Sequence, residues 1–188
     1  MRNYFRFIPN LISLIRISLV IPIVLNLLSG KYIFALILFA IASLSDAIDG
    51  FLARFFKWQT DLGKILDPVA DKLLMIGSIT ALWLNQVVPL SVFIIFVLRD
   101  LLILLGAAFE MSITEKTPSP NLIGKITTTS QIIYILVLII FEIFNVNINV
   151  QIFHILIGFI SLISLISYFR WWLNNNSVSY THLRAHET

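Results

Sequence analysis

Cysteine is absent from the 188 residues, which excludes a disulfide frame and a thiol nucleophile. Charge is scarce. Asp, Glu, Lys and Arg make up 12 % of the chain, about half the roughly 25 % of a soluble domain. Thirteen basic residues against ten acidic ones leave a net charge of only +3, too little for a nucleic-acid-binding surface. No cleavable signal peptide is expected, since the first apolar run is too long for an h-region and contains Arg16, and the sequence shows no internal repeat of useful period. What fills the chain instead is hydrophobic residues, at 59 %, with a mean hydropathy of +0.94. A water-soluble globule of this size cannot hide that much apolar surface, and a disordered chain would not carry it. The composition therefore specifies an all-α integral membrane protein, in which the few charges are the most informative residues.

A spanning helix takes roughly 20 mainly apolar residues. Six such runs are present, near Phe7–Leu28, Tyr32–Arg54, Ile65–Leu84, Val88–Phe109, Leu122–Phe144 and Val150–Leu173. Turn residues separate several of them: Ser29-Gly30-Lys31, Asn85-Gln86, Thr117-Pro118-Ser119-Pro120 and the stretch from Asn145 to Asn149. Alternate loops differ in basic charge. Arg2, Arg6, Arg54, Lys57, Lys64, Lys116, Lys125 and Arg170 fall on one side, and Lys31 alone on the other. The positive-inside rule then predicts six transmembrane helices with both termini cytoplasmic. Residues 1–173 form the expected membrane domain. Residues 174–188 form a polar tail expected to be disordered, and from Val178 onward it reads as foreign to the chain before it. His182 and His186, though spaced i,i+4, fall in that stretch and are not taken as metal ligands.

Four of the six aspartates, Asp46, Asp49, Asp67 and Asp71, fall within 26 residues. Asp46 and Asp49 share one helix face at i,i+3, and Asp67 and Asp71 share another at i,i+4. The two spans run in opposite directions, so both pairs come to a similar depth near the cytoplasmic surface. One reading pairs these acids with Arg54, Lys64 and Lys72. An intramembrane acid costs about 2.5–3.5 kcal/mol on insertion scales and usually marks a function. Four together repel one another unless cations compensate. All-oxygen ligation favours a hard ion, Mg²⁺ or Mn²⁺, and a pair of such ions near the cytosol suits phosphoryl-group chemistry. Gly50 and Ala53 lack bulk beside Asp49, which lets a ligand approach the helix or serves plain helix packing. Buried acids also line ion paths, so a cation transporter or channel is a rival reading. Clustering at one depth, with Glu142 alone beyond it, weighs against that.

The spacing Asp46-x2-Asp49-Gly50-x2-Ala53-Arg54-x8-Gly63-x3-Asp67-x3-Asp71 resembles the signature of the CDP-alcohol phosphotransferases, with every fixed position filled. Further stretches resemble the phosphatidylglycerophosphate synthase branch: Ile8-Pro9-Asn10 through Arg16, Asp67-Pro68-Val69-Ala70-Asp71-Lys72-Leu73, Arg99-Asp100, and Gly124-Lys125-Ile126-Thr127-Thr128 with Gln131. The resemblance covers about residues 5–172. It implies that an acceptor hydroxyl attacks the β-phosphorus of CDP-diacylglycerol and that CMP leaves. By motif position Asp46, Asp49 and Asp67 would be metal ligands, and Asp71 a ligand or the general base. Asp46, Gly50, Ala53, Arg54 and Gly63 would surround the cytidine nucleotide. The resemblance also implies a multi-pass protein of the plasma membrane with its active site facing the cytoplasm, and a homodimer.

Arg16 and Arg99 lie at depths comparable to Asp46, and Lys125 nearer the surface. Each has two readings. Arg16 pairs with the acidic cluster or meets the acceptor. Arg99 pairs with an acid of a neighbouring span or binds an anionic acceptor such as glycerol 3-phosphate. Lys125 is a basic flank or a phosphate contact. Many members of the resembled branch carry a second arginine about eight residues after the position of Arg99, where this chain has Ala107. Thr117-Pro118-Ser119-Pro120 resembles related enzymes that make cardiolipin from phosphatidylglycerol. Glycerol 3-phosphate is the expected acceptor and phosphatidylglycerol the alternative. His154, on an otherwise apolar stretch, is read as a packed residue.

Overall fold

The computed structural model describes the backbone of residues 8–55, 61–114, 122–146 and 149–184, and the side chains of residues 11–45, 63, 66–106, 122–146 and 149–170. Within these residues every regular element is an α-helix. Six helices follow in order: α1 (Ile8–Leu28), α2 (Tyr32–Phe55), α3 (Asp61–Leu84), α4 (Leu90–Thr114), α5 (Leu122–Phe144) and α6 (Gln151–Arg184). Each matches one of the six apolar runs to within a few residues at most ends. α4 and α6 run further than expected. No proline or glycine follows Gly158, so nothing in the sequence stops α6 at Leu173, and its backbone continues through the polar residues 174–184.

Three helix ends share one device. At the end of α1, Gly30 adopts φ 69°, and the N–H groups of Gly30 and Lys31 donate to the carbonyls of Leu27 and Asn26. At the end of α3, Gln86 (φ 62°) and Val87 donate to Trp83 and Leu82. At the end of α5, Asn145 (φ 47°) and Val146 donate to Glu142 and Phe141. These are Schellman caps, which satisfy the last carbonyls of a helix with one left-handed residue. Asn149 opens α6 from the other direction, its Oδ1 accepting the N–H of Gln151 at 3.0 Å.

Burial is inverted relative to a soluble protein. Large apolar side chains such as Ile21, Leu25, Phe34, Leu105, Ile155 and Phe159 are exposed, while Ser13, Arg16, Ser78, Arg99, Asp100, Gln131, Ser161 and Ser164 are buried. In water such apolar faces would aggregate, whereas in lipid they are solvated and polar groups turn inward. Three helices, at Leu11–Leu28, Leu122–Phe144 and Gln151–Arg170, are long and apolar enough to cross a bilayer among the described residues. The chain is a membrane protein.

The helices divide into two compact units. The first holds α1, α2, α3 and the later part of α5. The second holds α4, the earlier part of α5 and α6. In the first unit α1 packs on both α2 and α3. α1 and α3 run parallel, because contacts advance together along both. Ser13 meets Asp67, Val20 and Val24 lie where a Cβ on Gly77 would stand at 3.1 and 3.0 Å, and the Leu27 carbonyl accepts from Asn85 Nδ2 at 2.8 Å. The tight turn at Gly30 sends α2 back, and its first residue, Tyr32, has its hydroxyl 3.4 Å from the same Asn85 amide.

Candidate functional site

That register fixes the level of the acidic positions in the first unit. Asn85, Leu27 and Tyr32 meet at one end. From there Asp71, Ser13 and Asp46 each lie fourteen residues along their helices (85 to 71, 27 to 13, 32 to 46), about 21 Å at 1.5 Å per residue. Asp67 and Asp49 follow within one further turn. The backbone thus carries all four positions to the same end of the unit. The side chains of Asp46, Asp49, Gly50, Ala53 and Arg54 lie outside the described residues. Gly63 is buried in the first turn of α3.

Asp67 and Asp71 are half-buried on α3. Ser13 of α1, itself fully buried, donates its hydroxyl to Asp67 Oδ1 at 2.5 Å. Among the described residues no cation pairs with Asp67, and the side chains of Arg54 and Lys64, two of the basic neighbours named for such a pairing, lie outside the described residues. A carboxylate at this depth, held by one neutral donor, suits a hard divalent ion, and serine and aspartate oxygens are the donor set such an ion takes. No group of three or more His, Cys, Asp or Glu side chains converges among the described residues. The two acids of α3 are the described half of the expected four. Arg16, on the same face of α1 as Ser13 at i,i+3, is 1 % exposed.

The second unit centres on Arg99, also 1 % exposed. Its Nη1 donates to Asp100 Oδ1 at 2.6 Å, to Gln131 Oε1 at 3.3 Å and to Thr128 Oγ1 at 3.4 Å. Its Nη2 donates to the Gly124 carbonyl at 3.2 Å and to Ser164 Oγ at 3.1 Å, and Nε reaches the same Ser164 at 3.3 Å. One buried guanidinium therefore ties α4 to α5 and α6. Its acidic partner is the next residue of its own helix, not an acid of a neighbouring span. Lys125 stands exposed in the first turn of α5, next to the carbonyl that Arg99 holds. His154 is not isolated. Its Nδ1 lies 2.6 Å from the buried hydroxyl of Tyr134, the two rings meeting edge-on. Further along, Gly106 of α4 makes room for the Tyr168 ring of α6, whose hydroxyl would stand 2.2 Å from a Cβ at that position. Ala107 and Thr117 to Pro120 lie outside the residues whose side chains are described.

Comparison with known proteins decides what this acidic arrangement belongs to. The profile of the CDP-alcohol phosphatidyltransferase family matches residues 6–175. The chain belongs to the CDP-alcohol phosphatidyltransferase family. It is similar, at 32 % identity over 89 % of this chain and 92 % of the relative, to the CDP-diacylglycerol–glycerol-3-phosphate 3-phosphatidyltransferase of Aquifex aeolicus. The Bacillus subtilis protein of the same name is 32 % identical over 67 % of this chain and 72 % of its own. Human cardiolipin synthase (CMP-forming) is 28 % identical over 87 % of this chain and 61 % of its own. Membership of this family makes the chain a phosphatidyltransferase and disposes of the transporter reading. Two features of the described site were not among the expected site residues: Ser13 beside Asp67, and Asp100 as the partner of Arg99. The i,i+3 spacing of Ser13 and Arg16, which puts the hydroxyl on the face of an intramembrane arginine, was the signal for the first. For the second it was an acid directly beside an intramembrane arginine.

Proposed function

We propose that this chain is a CDP-diacylglycerol–glycerol-3-phosphate 3-phosphatidyltransferase, a six-span enzyme of the plasma membrane with both termini and its active site on the cytoplasmic side. The observation that carries this reading is the near full-length similarity to the Aquifex aeolicus enzyme. Loop charges support the orientation, and six helices matching six apolar runs support the span count. A homodimer is the assembly expected from the family resemblance.

In this reading Asp46, Asp49, Asp67 and Asp71 hold two Mg²⁺ or Mn²⁺ ions. Bound there, the ions neutralise the pyrophosphate of CDP-diacylglycerol and the charge that departs with CMP. Gly50 and Ala53 leave α2 thin enough for the nucleotide to lie against it, with Asp46, Arg54 and Gly63 around it. Asp71 accepts the proton of the acceptor hydroxyl as its oxygen bonds the β-phosphorus and the bond to the CMP oxygen breaks. Arg16, Arg99 and Lys125 orient the acceptor through its phosphate. Incorporation of labelled glycerol 3-phosphate into lipid, dependent on CDP-diacylglycerol and Mg²⁺, tests the assignment.

A second reading has a specific observation behind it. The similarity to human cardiolipin synthase, with Ala107 in place of a second arginine, favours phosphatidylglycerol as acceptor. That molecule brings its phosphate on a lipid and needs one cation fewer from the protein than a free phosphomonoester does.

A further inference from the structure

We propose that Ser13 is a positioning residue for the metal site, holding the Asp67 carboxylate in its ligating orientation. This rests on the proposed role of Asp67 as a metal ligand and extends it to a residue on another helix. Hydroxyls in these helices mostly turn back on their own backbone. Ser18, Ser29, Ser45, Thr80, Thr127 and Thr128 each donate to the carbonyl four residues earlier, at 2.6–3.1 Å. Ser13 reaches across to a carboxylate on α3. It does so from a fully buried position, and among the described residues it is the sole hydrogen-bond donor to Asp67.

The placement has a mechanical reason. α1 and α3 are locked in register at Gly77 against Val20 and Val24, and again at Asn85 against the Leu27 carbonyl. That register places Ser13 opposite Asp67. One carboxylate oxygen, Oδ1, accepts from Ser13, and in the proposal the carboxylate so oriented ligates the cation. A carboxylate without this tether samples its χ rotamers, and each bound ion must then order it at an entropic cost. Partners that orient ligating groups typically cost 10–100-fold in metal affinity or activity when removed.

The test is Mn²⁺ binding to the full chain in lipid nanodiscs, followed by electron paramagnetic resonance, with the Mg²⁺ dependence of CMP release as a second readout. Ser13→Ala is expected to weaken Mn²⁺ binding about 10-fold or more and to raise the half-saturating Mg²⁺ by a similar factor. Turnover at saturating Mg²⁺ should change less. Ser13→Thr keeps the hydroxyl and restores affinity. Ser13→Cys, with a weaker donor of similar size, falls between and stands in if the alanine variant does not fold. Ser18→Ala, which removes a hydroxyl bonded only to its own helix, leaves Mn²⁺ affinity unchanged. Asp67→Asn separates the two levels of the argument. Mn²⁺ affinity lost in Asp67→Asn but unchanged in Ser13→Ala and Ser13→Cys overturns the role of Ser13. Affinity unchanged in Asp67→Asn overturns the metal-ligand reading beneath it. A lower melting temperature for Ser13→Ala with wild-type Mn²⁺ affinity identifies Ser13 as a packing residue and also overturns the proposal.

Discussion

Replacing Asp100 by asparagine is the most demanding perturbation of the second unit. Arg99 is 1 % exposed and Asp100 equally so, and their ion pair is 2.6 Å long. The substitution keeps an oxygen that can accept from Nη1 and removes only the negative charge. The five remaining guanidinium contacts, to Ser164 twice, Thr128, Gln131 and Gly124, are all to neutral acceptors. They satisfy hydrogen bonds but leave a buried net charge. Breaking a buried pair in this way costs about 3–5 kcal/mol, and the retained hydrogen bonds place Asp100→Asn near the lower figure. With roughly 2–4 °C lost per kcal/mol for a chain of this size, the melting temperature falls by about 6–12 °C. Arg99→Leu combined with Asp100→Leu, which removes both charges, recovers much of that loss. The assay is thermal unfolding in one detergent, read across the single variants and the pair as a double-mutant cycle. A change below about 0.5 kcal/mol for Asp100→Asn refutes the view that Asp100 neutralises Arg99. Because Arg99 is also assigned to the acceptor phosphate, glycerol 3-phosphate should stabilise Asp100→Asn more than it stabilises the wild-type protein.

Asp71→Asn should abolish CMP release in protein that remains folded, and turnover near wild type would remove it as the base. Asp46→Asn should raise the Mg²⁺ requirement or abolish turnover, and an unchanged Mg²⁺ titration would count against its ligand role. Gly106→Ala forces a Cβ against the Tyr168 hydroxyl and is expected to destabilise by about 1–3 kcal/mol, a loss that Gly106→Ala with Tyr168→Phe should partly relieve in the same melting assay. Gln86→Gly relaxes a left-handed residue at the end of α3 and should stabilise by up to about 1–2 kcal/mol, seen as a higher melting temperature.

The helix ends were legible wherever a residue announced its backbone conformation. Gly30 marks the end of α1 by composition alone, and Asn145 does nearly so. Gln86 adopts the same conformation without any such preference, so the sequence marked that break only through Asn85 and Gln86 being polar between apolar runs. The end of α6 was not legible, because the residues after Leu173 lose their apolar character without gaining a helix breaker. At the site, the aspartate spacing identified the acids because a helix face follows directly from residue number. The partners that fix those acids come from other helices. That Ser13 stands opposite Asp67 depends on the parallel register of α1 and α3, which Gly77 and Asn85 set together. Arg99 illustrates the same limit, since Gln131 and Ser164 lie on helices whose rotation no local pattern specifies.

The most direct test of the account is CMP release by purified protein from CDP-diacylglycerol with Mg²⁺, run in parallel with glycerol 3-phosphate and with phosphatidylglycerol as acceptor. The account predicts Mg²⁺-dependent release with glycerol 3-phosphate and a phosphatidylglycerophosphate product. Release with phosphatidylglycerol alone would transfer the assignment to cardiolipin synthesis, and no release from folded protein with either acceptor would contradict the account.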